Sequence, residues 1–257
     1  MSEPLRSAPL FSAKTQMLRD CFRIAFVAMW MLTLTLTQGT LQAQKEPNAV
    51  PSDEAKALHA EAREAGARGD YAAALTLVTK AAALAPDWPY PVYDRAFTHV
   101  LMNNFAAALA DYQETLKLAP RGFFTAHVAV DTLLRENRGE FPPGLYLAYV
   151  MLEFEQDRER QRTILQEIVN KFPRFAPGWE KFAEFADTPQ ERLERIEVGL
   201  AADPDPDTLG MLKLNQAAAL EGLGKPDAAA DILRALVSDP KSTRATVSLA
   251  KVMLTRK

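Results

Sequence analysis

Residues 55–122 carry the same pattern twice, 34 residues apart, and no insertion is needed to align the two copies. Ala62 recurs as Ala96, Tyr71 as Phe105, Ala74 as Ala108, Leu75 as Leu109, Leu84 as Leu118, Ala85 as Ala119 and Pro86 as Pro120. Such a period restricts the fold, because two copies of one local pattern adopt one local structure and then stack. Each copy spells two helices. In the first, Leu58, Ala62 and Ala65 in the segment Ala55 to Ala67 form a narrow apolar stripe. Ser52 and Asp53 can cap its start, and Arg68-Gly69-Asp70 stops it, since glycine accepts the left-handed conformation that ends a helix. Tyr71 to Ala83 is mostly Ala, Leu and Val, apolar around most of its circumference, and has to be covered on both sides. Ala74 and Ala81 let helix axes approach toward the short end of the ~8–10 Å packing range. Pro86 blocks continuation. The second copy repeats these devices with Val92, Ala96 and His99 on the stripe, Asn103-Asn104 in the turn, then Phe105 and Pro120. His99 takes the slot of Ala65, so it is expected to be a satisfied core histidine.

Neither pair buries its own apolar surface, so each needs a neighbour and at least about three units are expected. A 34-residue period with small residues at fixed slots and a closing proline resembles the tetratricopeptide repeat. That resemblance implies an all-α fold: a right-handed α-solenoid of stacked helix-turn-helix pairs, about five to six units plus a C-terminal capping helix. The repeat domain is read as residues 52–257, with the clearest repeats at 55–88 and 89–122.

Further along, Phe123 to Glu136 is helical in pattern, followed by Gly139 and Pro142-Pro143. The next proline in the closing slot, Pro173, lies 53 residues after Pro120, which is neither one period nor two. Two registers stay open. Either Pro142 to Phe175 is a unit, with Tyr149 in the small-residue slot, Gln166 or Ile168 on its second helix, and Phe123 to Phe141 unpartnered; or Leu145 to Phe154 is the partner of that helix and the register shifts. Ala176 to Ala186 pairs with Gln190 to Ala202, Thr188 capping before Pro189. Asp207 to Glu221 pairs with Asp227 to Val237 around Gly222-Leu223-Gly224. Lys241 to Lys257 reads as a cap that packs through Ala245, Leu249, Val252 and Met253 and turns Lys241, Arg244, Ser248, Lys251 and Arg256 outward.

Hydrophobic content of 48% with 25% charged residues is that of a folded soluble protein. A net charge of −3 lacks the basic footprint that nucleic acid requires. Residues 1–43 stand apart from the array. Lys14, Arg19 and Arg23 precede an apolar run from Ile24 to Leu36, interrupted by Thr33 and Thr35, and Leu41-Gln42-Ala43 offers a small-residue exit. This resembles a secretory signal peptide; the alternatives are an uncleaved membrane anchor over residues 24–41 and a buried helix. Export implies a periplasmic or secreted protein, with membrane contact through the N-terminal segment if it is retained. Residues 44–51 read as a linker. The single cysteine, Cys21, lies in the leader, so the mature chain has no disulfide, thiolate metal site or cysteine nucleophile.

No nucleophile-elbow serine, phosphate loop or metalloprotease histidine pair occurs. His59 and His127 are two periods apart, roughly 20 Å at two packing steps, too far for shared ligation at ~2 Å. Glu153, Glu155 and Asp157 alternate with Arg158, Glu159 and Arg160 as on a solvated helix face. The expectation is therefore no catalysis, no cofactor and no metal. In the tetratricopeptide family the first helix of each pair lines a concave face that holds a peptide or a partner protein. By resemblance, that face here would be His59, Arg63, Tyr90, Tyr93, Asp94, Phe97, His127 and Asp131. The aromatics either anchor a partner or fill space between helices. Asp94 and the absence of a lysine beside Arg63 argue against gripping a C-terminal carboxylate. The alternative is a helical protein for a small apolar ligand or lipid, held in the irregular middle (123–157) by Phe123, Phe124, Tyr146, Tyr149 and Phe154.

Overall fold

The two copies of the repeat fold alike down to their end geometry. A computed structural model describes residues 50–255, and among them there are helices and turns and no strand. The leader, and the signal-or-anchor reading that rests on it, lies outside the described residues. The copies form α1 (Asp53–Ala67) with α2 (Tyr71–Leu84), and α3 (Pro89–Leu101) with α4 (Phe105–Leu118). Ser52 Oγ accepts from the Ala55 N–H at 3.1 Å and opens α1. Asp70 and Asn104, one period apart, cap α2 and α4 by accepting from Ala73 N and Ala107 N. In the turns, Gly69 and Asn103 share the left-handed region at φ 78° and 59°, where asparagine is the best tolerated substitute for glycine. Both second helices end identically, Ala85 at φ −139°, ψ 72° and Ala119 at φ −133°, ψ 73°. Ala62, Ala96, Ala74, Ala81 and Ala108 are buried where helices meet.

In the middle the structure departs from the simplest reading. Phe124 takes φ 47°, which no helix accommodates, so α5 (Ala126–Asn137) starts three residues later than its apolar pattern suggests. It packs against α4 and against the short α6 (Leu145–Met151), which runs into a 3-10 turn at Leu152–Phe154. The register that makes Leu145 to Phe154 the partner of α5 is the one adopted. The buried Glu136 carboxylate fixes this pairing, accepting from Gly144 N at 2.9 Å and Tyr146 N at 2.7 Å, the orphan donors at the start of α6. α7 (Arg158–Lys171) is then an extra helix. It ends at Phe172 with φ −129°, ψ 69°, the same geometry as α2 and α4, and packs on the next first helix. The 53-residue interval is one pair plus that helix. Glu153 belongs to the 3-10 turn, and Glu155 and Asp157 to the loop whose end caps α7, not to one solvated helix face.

The array continues with α8 (Ala176–Ala183), α9 (Pro189–Ala201), α10 (Pro206–Gly222), α11 (Pro226–Ser238) and α12 (Arg244–Thr255). Each packs on the next, and α8 with α10 and α10 with α12 also meet as successive first helices. Thr188 caps α9 through Glu191 N at 3.1 Å. Five helix pairs, α7 and the terminal α12 make the described α-solenoid.

The terminal helix corrects one expectation. Thr246 and Ala250 are buried, while Ala245, Leu249 and Val252 face outward. Thr243 and Thr246 share a hydroxyl hydrogen bond of 2.9 Å, so two polar side chains enter the interior at little desolvation cost. Gly210 of α10 makes the space: a β-carbon there would stand 2.0 Å from Thr246 Oγ1.

The interior is divided. One core runs from Ala96 on α3 to Phe182 on α8; a second holds Leu214, Ala217, Ala229, Leu233, Leu236 and Ala250 on α10–α12; Ala183, Ile196 and Leu212 form a small cluster between them.

Candidate functional site

The face between the first two helix pairs is built from residues that share repeat slots. Positions 59, 93 and 127 are one period apart, as are 63, 97 and 131, and Tyr90 and Phe124. Of the eight residues expected on the concave side, six come together: His59, Arg63, Tyr90, Tyr93, Asp94 and Phe97. His59 Nε2 lies 2.7 Å from Asp94 Oδ2 and ties α1 to α3. Burial lowers the Arg63 guanidinium pKa from its usual range, although Asp94 and Tyr90 pull it up. Asp94 is thus engaged by a histidine and flanked by an arginine. A cleft of about 20 Å³ lies among Ala62, Arg63, Asp94, Phe97, Thr98 and Leu101. That is room for one water and no ligand.

Above it the surface is aromatic. Tyr90 is 42% exposed and stacks edge-on to Phe123 at 4.8 Å and to Phe124 at 5.8 Å. Trp88 packs edge-on against His59 at 4.9 Å. Phe124 is 54% exposed while held in the left-handed region, a conformation costing about 1–3 kcal/mol for a bulky residue. Tyr93 sits lower, its hydroxyl 2.9 Å from Thr125 Oγ1 and its ring against Tyr112 at 5.4 Å; burial drives its pKa well up, so it is neutral. Tyr93 and Phe97 are packed against the core and Tyr90 with Phe124 forms the exposed rim. Trp88, Phe123 and Phe124 join this face, although the repeat resemblance does not point to them. The signal was available, since Phe124 is Tyr90 one period on.

The other two expected residues lie elsewhere. His127 is turned to α10, where Asp207 Oδ2 meets its Nδ1 at 3.1 Å and its backbone N–H at 3.2 Å. Asp131 pairs with Arg135 at 3.4 Å. Arg135 is itself buried, bonded to Glu140 and to the Arg174 carbonyl, and stacked over Phe141 at 4.4 Å. His99 is not the satisfied core histidine expected. Its Nδ1 is buried without a partner, its Nε2 stands 3.9 Å from Asp111, and burial lowers its pKa. The nearer bond to Asp111 belongs to Arg95, at 2.6 and 2.8 Å.

The irregular middle fills itself. Tyr146 and Tyr149 are buried, packed edge-on to Tyr112 at 6.0 Å and Phe175 at 5.3 Å, while Phe123 and Phe124 belong to the rim. Among the described residues no group of three or more histidines, cysteines and carboxylates is placed to hold a metal, and no helix is long and apolar enough to cross a membrane.

Helix order and packing define the class: an α-solenoid of tetratricopeptide-like helix pairs. No family model and no curated protein matches the chain. Among solved structures it is similar to MamA (residue 41 to the end) from Desulfovibrio magneticus RS-1, at 14% identity over 79% of this chain and 98% of that one, TM-score 0.36. It is also similar to a thermophilic TPR protein of Thermus thermophilus, at 19% identity over 78% and 99%, TM-score 0.33. At these scores neither likeness adds to the fold assignment, which rests on this chain's own packing.

Proposed function

We propose that the chain is an exported, non-catalytic interaction scaffold that holds a peptide or a segment of a partner protein along the face between α1 and α3, against Tyr90 and Phe124. The observation that carries this reading is the exposed aromatic rim. Phe124 keeps its ring on the surface in a backbone conformation that works against it, and strain persists where the surrounding structure has a use for it. Aromatic side chains are the usual anchors of binding energy, and here Tyr90 stands on α3 and Phe124 in the turn before α5. The floor of the face is close to neutral, Asp94 being matched by His59 and Arg63, which favours an uncharged or aromatic segment over a terminal carboxylate. Export is inferred from the basic, apolar and small-residue succession in residues 14–43 and from the lack of any cysteine beyond Cys21.

The test is a paired substitution at the rim. Tyr90→Ala with Phe124→Ala removes the exposed rings and leaves Tyr93, packed against the core, in place, so helicity is retained. Cross-linking in cells, followed by capture from the native compartment, should lose the partner recovered with the unaltered chain. Recovery of the same partner at the same yield overturns the reading.

A further inference from the structure

The C-terminal arm, α10–α12, has its own core; it meets α8 and α9 through the small apolar cluster of Ala183, Ile196 and Leu212, and it meets α5 and the segment before it through a polar seam. Hydrogen bonds and one close backbone approach join the arm to the rest. His127 on α5 takes Asp207 on α10 through both its ring and its backbone N–H. Arg121 donates to the Ser242 carbonyl at 3.1 Å, and the Arg244 N–H donates back to the Arg121 carbonyl at 2.9 Å. Gly122, at φ 89°, sits so close to Thr243 and Asp207 that a β-carbon would stand 3.0–3.2 Å from them. Asn215 on α10 donates to Glu180 on α8 at 3.3 Å. Two separately packed bodies joined by one small apolar cluster and a polar seam move against each other at lower cost than two halves of one apolar core.

We propose that the segment Arg121–His127 is a clasp that docks the C-terminal arm onto the middle of the array, and that the clasp tightens as the medium becomes more acidic. Glu180, Asp205, Asp131 and His127 act in that direction. Glu180 is 4% exposed, and burial pushes its carboxyl up to about 7, with Lys181 and Asn215 opposing and Glu184 and Asp205 adding. Asp205, which caps α10, is raised to about 6 by burial, against its bonds from Thr208 and with Asp207 and Asp131 adding. Asp131 on α5 is raised by burial, with Arg135 and Arg138 opposing and Asp203 adding. Glu153, exposed in the turn after α6, faces Lys181 and Glu184 at the end of α8 and not the arm. For His127, burial pulls down, but the bond and charge of Asp207 and the charge of Asp205 prevail and the imidazole is raised.

A carboxyl raised in the docked state costs nothing where it is protonated in both states. The cost appears as pH climbs past its ordinary value and is complete above the docked value. A histidine raised in the docked state contributes fully below its ordinary value and loses that contribution as pH rises through the docked one. All four therefore favour docking at acid pH. Glu180 alone raises the opening constant by roughly 70-fold between pH 5 and pH 8, if opening restores its ordinary value. Phe123 and Phe124 lie between the anchored ends of the clasp, so the clasp also positions the aromatic rim. That consequence rests on the proposed docking role of the rim; the clasp itself does not.

The Arg244 amide reports the clasp directly, since its hydrogen bond crosses the seam. Its hydrogen-exchange protection, corrected for intrinsic rate, is to be measured at pH 5 and pH 8 beside the Val100 amide inside α3. Protection at Arg244 should fall by roughly ten- to a hundredfold at pH 8 while Val100 changes little. Asp207→Asn should lower Arg244 protection already at pH 5, and Glu180→Gln should preserve much of it at pH 8. Equal protection of Arg244 at the two pH values in the unaltered chain, or a loss matched at Val100, overturns the proposal.

Discussion

Glu180→Gln should stabilise the protein, and only above acid pH. The carboxyl is almost fully buried on α8, with one long bond from Asn215 and Lys181 Nζ at 4.0 Å, so its charged form is poorly compensated. Burial moves it from 4.5 to about 7. A folded pKa above the unfolded one means that the folded state binds the proton more tightly. Stability then declines as pH rises from the unfolded value to the folded one and levels off beyond it. At about 1.36 kcal/mol per unit, the charged form costs about 3 kcal/mol on that plateau, about 2 kcal/mol at pH 6 and nearly nothing at pH 4. Glutamine matches the shape and keeps the acceptor for Asn215 without the charge. Urea unfolding followed by circular dichroism at pH 4, 6 and 8 should give variant and parent curves that coincide at the first pH and separate at the other two, the variant being the more stable. A variant less stable than the parent at pH 8, or a constant offset at all three, refutes the assignment of an uncompensated buried carboxylate.

Gly210→Ala should undock α12, because the added methyl meets Thr246; overpacking of this kind costs about 1–3 kcal/mol, and hydrogen exchange should register it in α12 while α1–α4 are unchanged. Leu249→Ser with Val252→Ser should alter the unfolding free energy by no more than about 0.5 kcal/mol, since both face outward; a loss of several kcal/mol would restore them to the packing stripe. Ala96→Leu, at a fully buried contact between helices, should cost about 1–3 kcal/mol in urea unfolding. Mass spectrometry of the mature protein should find an N-terminus at or just after Ala43; a peptide beginning before Ile24 defeats cleavage there.

Sequence and structure agree best where contacts are short in range. Gly69 and Asn103, Asp70 and Asn104, Ala85 and Ala119 act within one turn of their own helices, so a period read from the letters becomes a period in space. The face between α1 and α3 was half legible for the same reason: His59, Tyr93, Arg63 and Phe97 recur at the same repeat slots, and that spacing places them together. His127 and Asp131 occupy the same slots, but His127 meets Asp207 on α10, eighty residues on, and Asp131 turns to Arg135 on its own helix; no periodicity reports such pairings. The middle stayed ambiguous because two registers satisfied the same apolar pattern, and what decides between them is Glu136 closing the start of α6.

The letters alone fixed a modular all-helical array, the position of its clearest turns, and the need of each helix pair for a neighbour, since local propensity and an unpaired apolar stripe are properties of the segment itself. Tertiary structure decided the rest. It buried Thr246 and exposed Leu249 and Val252, because a space beside Gly210 and a partner hydroxyl outweigh the usual ranking of side chains. It also placed Asp207 against His127, which depends on how every intervening helix pair is angled and hence on the whole stack at once.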